Sequence, residues 1–124
     1  MARILVVDDE PDIRTLLRIA LERVEDFEVA AVASGPDALA EFAAGTFDVV
    51  LLDVMMPGMD GLETLDRLRA LPGGDRVAVA FLTARTQKTD LETYRGAGAA
   101  DVLTKPFDPK VLVTRVQQLA AGAS

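Results

Sequence analysis

Val49-Val50-Leu51-Leu52-Asp53 is four consecutive apolar residues closed by a carboxylate. A run this short and this uniformly apolar reads as a strand buried on both faces, as in the middle of a parallel sheet. The same form recurs on either side. Ile4-Leu5-Val6-Val7 ends at Asp8-Asp9, Val77 to Leu82 ends at Thr83, and the short Val102-Leu103 ends before Lys105-Pro106. Glu28 to Ala33 is a weaker strand. Between the strands the period changes to that of a helix. Ile13, Leu16, Leu17, Ala20, Leu21 and Val24 follow Pro11, which is tolerated in a first turn. Ser34 can cap a helix starting around Pro36, with Ala38, Leu39 and Phe42 inward. Leu62, Leu65 and Leu68 share one helix face. A polar helix from about Gln87 to Arg95 has few apolar residues, chiefly Leu91 and Tyr94, and ends at Gly96 and Gly98. The last helix begins near Pro109 and buries Leu112, Val113, Val116 and Leu119, and the tail from Ala120 to Ser124 is expected to fray.

Five strand–helix units in alternation predict an α/β fold, a parallel sheet covered on both faces. The 124 residues make one domain, with its core at about 3–119 and no repeat or linker. Half the chain is apolar and 27% is charged, as in a globular protein rather than a disordered one. With no cysteine and no histidine, thiolate and imidazole chemistry are excluded, and any metal site must be built from oxygen, which favours Mg²⁺ or Ca²⁺. The net charge of −7 argues against binding nucleic acid or an anionic membrane directly. No apolar run is long enough to span a bilayer, and the N-terminus lacks the pattern of a signal peptide, so a cytoplasmic location is expected.

Active groups in such sheets lie beyond the carboxyl ends of the strands. The polar residues that interrupt the pattern sit there: Asp8 and Asp9, Asp53, Thr83 and Lys105. Each has an ordinary explanation alone. Asp8 or Asp9 can cap the following helix, Asp53 can be a turn residue, Thr83 β-branched filler, and Lys105 a solvated surface lysine. Taken together they have a chemistry. Adjacent carboxylates need a cation to offset them, and a carboxylate can act as a nucleophile toward phosphorus. A lysine stabilises phosphoryl charge, and Lys105-Pro106 permits a cis peptide. The loop Met55-Met56-Pro57-Gly58-Met59-Asp60-Gly61 supplies tight turns and backbone carbonyls.

In this order, the stretches Ile4 to Glu10, Val50 to Gly61, Leu82-Thr83-Ala84 and Leu103 to Phe107 resemble the receiver domains of two-component response regulators, and the resemblance covers Ile4 to about Leu119. It implies a doubly wound, flavodoxin-like five-stranded sheet in the order 2-1-3-4-5. It also implies that Asp53 is the phosphoacceptor, with Mg²⁺ held by Asp9, Asp53 and the Met55 carbonyl, and by Asp8 mainly through water. Thr83 and Lys105 would bind phosphoryl oxygens, helped by the backbone N–H groups of Val54 and Ala84. Met55 and Arg85, two residues beyond Asp53 and Thr83, occupy the positions that tune adduct lifetime, and a long-lived phosphoryl group is expected. The donor would be a histidine kinase or histidine phosphotransfer protein, and the output a protein effector. The chain would be a monomer or weak dimer, and no enzyme beyond its own phosphoryl transfer and hydrolysis. A stand-alone regulator and a receiver from a larger one both remain open.

One position departs from the family. The residue three before the lysine, coupled there to the threonine, is commonly Tyr or Phe, and here it is Val102. The switch formed with Thr83 therefore cannot be the usual aromatic rotation. Movement of the Thr83–Gln87 loop and of the fourth helix is expected instead, with a partner surface on the fourth helix, fifth strand and last helix. Tyr94, the only tyrosine, is expected to pack, or else to supply contact area there. Three rival readings fit the residues less well. An Mg²⁺-dependent aspartyl phosphohydrolase needs an acid–base Asp where Met55 stands, and a cap insertion. A flavin module is disfavoured by the absence of Trp and the single Tyr. A pseudo-receiver scaffold is disfavoured by the intact acidic cluster and Lys105.

Overall fold

The computed structural model describes residues 1–122. Its strands are β1 (Ala2–Val7), β2 (Phe27–Val32), β3 (Val49–Asp53), β4 (Ala78–Thr83) and β5 (Asp101–Thr104). Its helices are α1 (Pro11–Glu22), α2 (Gly35–Ala44), α3 (Gly61–Arg69), α4 (Lys88–Gly96) and α5 (Pro109–Gly122). The strands form one parallel sheet in the order β2-β1-β3-β4-β5. This is the α/β doubly wound order that the resemblance implied.

Because side chains alternate along a strand, each strand feeds two cores. Leu5, Val7, Val50, Leu52, Val79 and Phe81 face α2, α3 and α4, where they meet Ala38, Phe42, Leu65, Leu68 and Tyr94. Ile4, Val6, Val49, Leu51, Ala80 and Leu82 face α1 and α5, where they meet Leu17, Leu21, Leu112 and Val116. Double-sided burial is why β1, β3 and β4 read as unbroken apolar runs. The weaker β2 is an edge strand and is only partly buried.

Local signals set the helix starts. Ser34 Oγ accepts the Asp37 amide at 3.2 Å and caps α2, as expected. Asp60 Oδ1 accepts the Glu63 amide at 2.8 Å and caps α3. Arg69, at the end of α3, donates to the carbonyls of Gly74, Val77 and Gly98, tying the loop before β4 to the turn before β5.

Two details correct the sequence reading. On α1 only Leu17 and Leu21 are buried, whereas Leu16 is exposed at the margin of the stripe. The expected frayed tail is helical as far as Gly122, because Ala120 still packs on the α1–α5 core; residues 123 and 124 lie outside the described residues. Among the described residues no helix is long and apolar enough to cross a membrane.

Candidate functional site

The parallel sheet brings the expected residues to one edge. β1 ends at Val7 and releases Asp8 and Asp9, Asp53 and Thr83 end β3 and β4, and Lys105 follows β5. Asp8 and Asp53 are buried, and Thr83 is equally enclosed. Lys105 Nζ lies 2.9 Å from Asp8 Oδ2 and 3.4 Å from Asp53 Oδ2. The Lys105-Pro106 peptide is cis.

Neither aspartate of the pair caps α1. The N-cap is Glu10, with no side-chain cap bond, and Asp8 Oδ1 accepts the Glu10 amide at 2.9 Å. Asp8 is further fixed where its carbonyl accepts from Arg14 at 2.9 Å. Oxygens of Asp8, Asp9, Glu10 and Asp53 all lie within 4.8 Å of one another. Glu10 was missed as a member of this group. Its signal was the third carboxylate of the Asp8-Asp9-Glu10 run, and it also lies 3.7 Å from Lys105 Nζ. Three of these four carboxylates, Asp8, Glu10 and Asp53, lie within 3.7 Å of the Lys105 ammonium, and every ligating atom in the group is oxygen. That donor set fits a hard divalent cation.

One of the two expected backbone amides has a partner elsewhere. Val54 N–H, expected to help bind phosphoryl oxygens, donates to the Leu82 carbonyl at 3.2 Å, extending the β3–β4 ladder. The amide that touches Asp53 is that of Met55, 3.2 Å from Oδ1. On the opposite side, Thr83 Oγ1 accepts the Arg85 amide at 2.9 Å. Ala84 and the side chains of Met55 and Arg85 are exposed. Val102 is half-buried against the α2–α3–α4 core. Tyr94 is a packing residue, as expected, in a T-shaped contact with Phe81 at 5.4 Å between ring centres. Its hydroxyl, 3.5 Å from Thr83 Oγ1, was not foreseen.

Burial pushes the Asp53 carboxyl up to about 6, reinforced by the Asp8 charge and opposed by Lys105 and the Met55 amide. Burial also pulls Lys105 down, but its hydrogen bond to Asp8 and the charges of Asp53 and Asp8 outweigh this and hold it above the ordinary lysine value. Lys105 is therefore a fixed cation at neutral pH.

A stability consequence follows for Asp53. A carboxyl raised by folding stabilises the fold below its unfolded value, about pH 4, and that contribution is lost as pH rises through about 6. At pH 7 without metal, ionised Asp53 costs about 3 kcal/mol. Asp53→Asn should then raise Tm at pH 7 in chelator, by on the order of 5–15 °C. The gain should vanish near pH 4. Melts of both proteins across pH check this, and a gain of equal size at both ends would refute the charge explanation.

This geometry coincides with a known family. The response regulator receiver domain model matches residues 4–117. The chain belongs to the receiver domain family of response regulators. It is 44% identical over 115 residues to the DNA-binding response regulator MtrA of Mycolicibacterium smegmatis, covering 93% of this chain and 49% of MtrA. The receiver thus spans about half the length of the curated relatives it matches. Among solved structures, the chemotaxis protein CheY4 of Vibrio cholerae superposes with a TM-score of 0.90 at 33% identity, covering 96% of this chain and 98% of that one. The receiver domain of the sensor histidine kinase PA1611 of Pseudomonas aeruginosa, solved with a magnesium ion in its active-site cleft, superposes at 0.88 with 31% identity, covering 97% and 98%. The receiver fold, and its place in two-component signalling, follow from this membership.

Proposed function

We propose that this receiver accepts a phosphoryl group on Asp53 from a histidine kinase or histidine phosphotransfer protein, in a Mg²⁺-dependent reaction, and signals through a protein partner. The observation that carries this reading is Lys105 Nζ within 3.4 Å of both Asp8 and Asp53 at the carboxyl edge of the sheet. A surface lysine with no task has no reason to be held between two buried carboxylates.

Each residue has a distinct part. An Asp53 carboxylate oxygen attacks phosphorus while the bond to the donor's imidazole nitrogen breaks and the histidine leaves with its electron pair. The Met55 amide fixes the orientation of the Asp53 carboxylate through Oδ1. Lys105 offsets the phosphoryl charge, and the Thr83 hydroxyl and the Ala84 amide donate to phosphoryl oxygens. Val54's amide is assigned no such part, being held by Leu82. Asp9, Asp53 and the Met55 carbonyl would hold Mg²⁺, with Asp8 acting through water and Glu10 at the margin. When bound, the ion offsets the carboxylates and the charge arriving with phosphate. Met55 and Arg85, exposed beside Asp53 and Thr83, are the residues assigned to adduct lifetime. The chain is a switch rather than an enzyme with an external substrate.

Incubation with Mg²⁺ and acetyl phosphate, read by intact mass, tests this. One phosphoryl adduct is expected, lost in Asp53→Asn and in chelator. No adduct on the wild type would leave the scaffold reading in its place.

A further inference from the structure

We propose that Tyr94 is a positioning residue for Thr83, through which the state of Asp53 is transmitted to α4. The inference rests on Asp53 being the phosphoacceptor.

Alternation along β4 puts Val79 and Phe81 on the face covered by α4, and Thr83 shares their parity. α4 directs one buried side chain at that face. Tyr94 is buried, its ring is held edge-on by Phe81, and its hydroxyl reaches Thr83 Oγ1. Among the described residues the Tyr94 hydroxyl has no other hydrogen-bond partner. A buried phenol hydroxyl is costly to leave without a partner. The separation of 3.5 Å is also the outer limit of a hydrogen bond, so a small displacement of Thr83 decides whether the contact survives.

Thr83 has one hydroxyl proton and already accepts the Arg85 amide. Drawn toward a phosphoryl group on Asp53, it leaves Tyr94 behind. The ring cannot follow alone, because Phe81 holds it. Either the hydroxyl loses its partner or the helix moves. α4 resists weakly: its remaining apolar anchor is the half-buried Leu91, and its N-cap Gln87 makes no side-chain cap bond. Val102, paired with Phe81 in the β4–β5 register, is too short to reach a hydroxyl and carries no polar atom in its side chain. Here the polar contact with the threonine therefore comes from α4, so the helix itself is tied to the phosphorylation site.

Coupling is reciprocal, so a contact that restrains Thr83 must also weaken binding at Asp53. The test uses the full chain with Mg²⁺ and beryllofluoride as the phosphoryl mimic, and three readouts. Tyr94 is the only tyrosine and there is no tryptophan, so intrinsic tyrosine emission reports on it alone. That emission should shift in step with beryllofluoride occupancy measured by ¹⁹F NMR. Amides of residues 88–97 should lose hydrogen-exchange protection on binding. Tyr94→Phe keeps the ring and removes the oxygen. It should bind beryllofluoride about 2- to 10-fold tighter, by the worth of one neutral hydrogen bond, and lose the exchange response in α4. Unchanged emission in the wild type, or equal affinity and an equal α4 response in Tyr94→Phe, overturns the proposal while leaving Asp53 as acceptor. Absence of a beryllofluoride adduct on the wild type, or an adduct that persists in Asp53→Asn, overturns the phosphoacceptor reading and this inference with it.

Discussion

Lys105→Met should cost the metal-free protein about 3–5 kcal/mol at pH 7.5, a fall in Tm on the order of 10–20 °C. Methionine keeps most of the side-chain volume, so the loss is of charge rather than packing. Asp8 and Asp53 are both buried and both within 3.4 Å of Lys105 Nζ. Removing the ammonium leaves two buried carboxylates facing each other, which is far costlier than losing an exposed pair. The direction with pH is fixed by Asp53. Its carboxyl is already raised to about 6 with Lys105 present, and removing an opposing positive charge raises it further. Acidification should therefore protonate Asp53 and recover much of the loss by about pH 4.5. Mg²⁺ at pH 7.5 should recover part of it as well. Melts at both pH values, with chelator and with Mg²⁺, check this. A deficit of the same size at pH 4.5 as at pH 7.5 would mean that the lysine stem, not its charge, is what the fold needs.

Gly61→Ala should cost about 3 kcal/mol or more and slow phosphorylation from acetyl phosphate by about 100-fold. The reason is not backbone freedom, since Gly61 does not have a positive φ. A Cβ at Gly61 would stand 2.4 Å from the Asp53 carbonyl oxygen and 2.8 Å from Val54 Cα. Both obstacles are backbone, and the Gly61 amide also donates to the Val54 carbonyl at 2.9 Å. Relief requires moving α3 or the end of β3, and β3 carries the Asp53 carboxylate. Gly58 provides the contrast. It has φ +75°, but a Cβ there meets nothing within 4 Å. Gly58→Ala should cost only the left-handed strain, about 1–2 kcal/mol, and leave phosphorylation nearly intact. Denaturant melts and a time course of adduct formation separate the two. Equal defects in the two variants would show that loop strain, rather than the contact with Asp53, governs both.

These two glycines mark how far sequence reading reaches. Both stand in one Gly- and Pro-rich loop and both read as turn residues. Only the approach of α3 to the end of β3 shows that one of them is a spacer against the strand that carries Asp53. Tyr94 is similar. Its position on a polar helix was legible, and so was Val102 as the missing aromatic. The contact with Thr83 depends on how α4 is rotated over β4, which one tyrosine in a helix with few apolar residues does not specify. Glu10 and the Met55 amide were likewise visible as residues but not as members of the site.

The sequence by itself determined the alternation of strands and helices, the double-sided burial of the central strands, and which polar residues end them. Those follow from local periodicity and from the need to bury apolar runs, and the short motifs at the strand ends carried the family and with it the strand order. Only the tertiary structure decided which groups touch: Lys105 between Asp8 and Asp53, Val54's amide committed to Leu82, and Tyr94 against Thr83. The physical reason is range. Periodicity is set by neighbours a few residues away, whereas Lys105 and Asp8 are 97 residues apart and meet only because the sheet aligns the ends of its strands. Their distance, and the charge balance it creates, is a property of that packing.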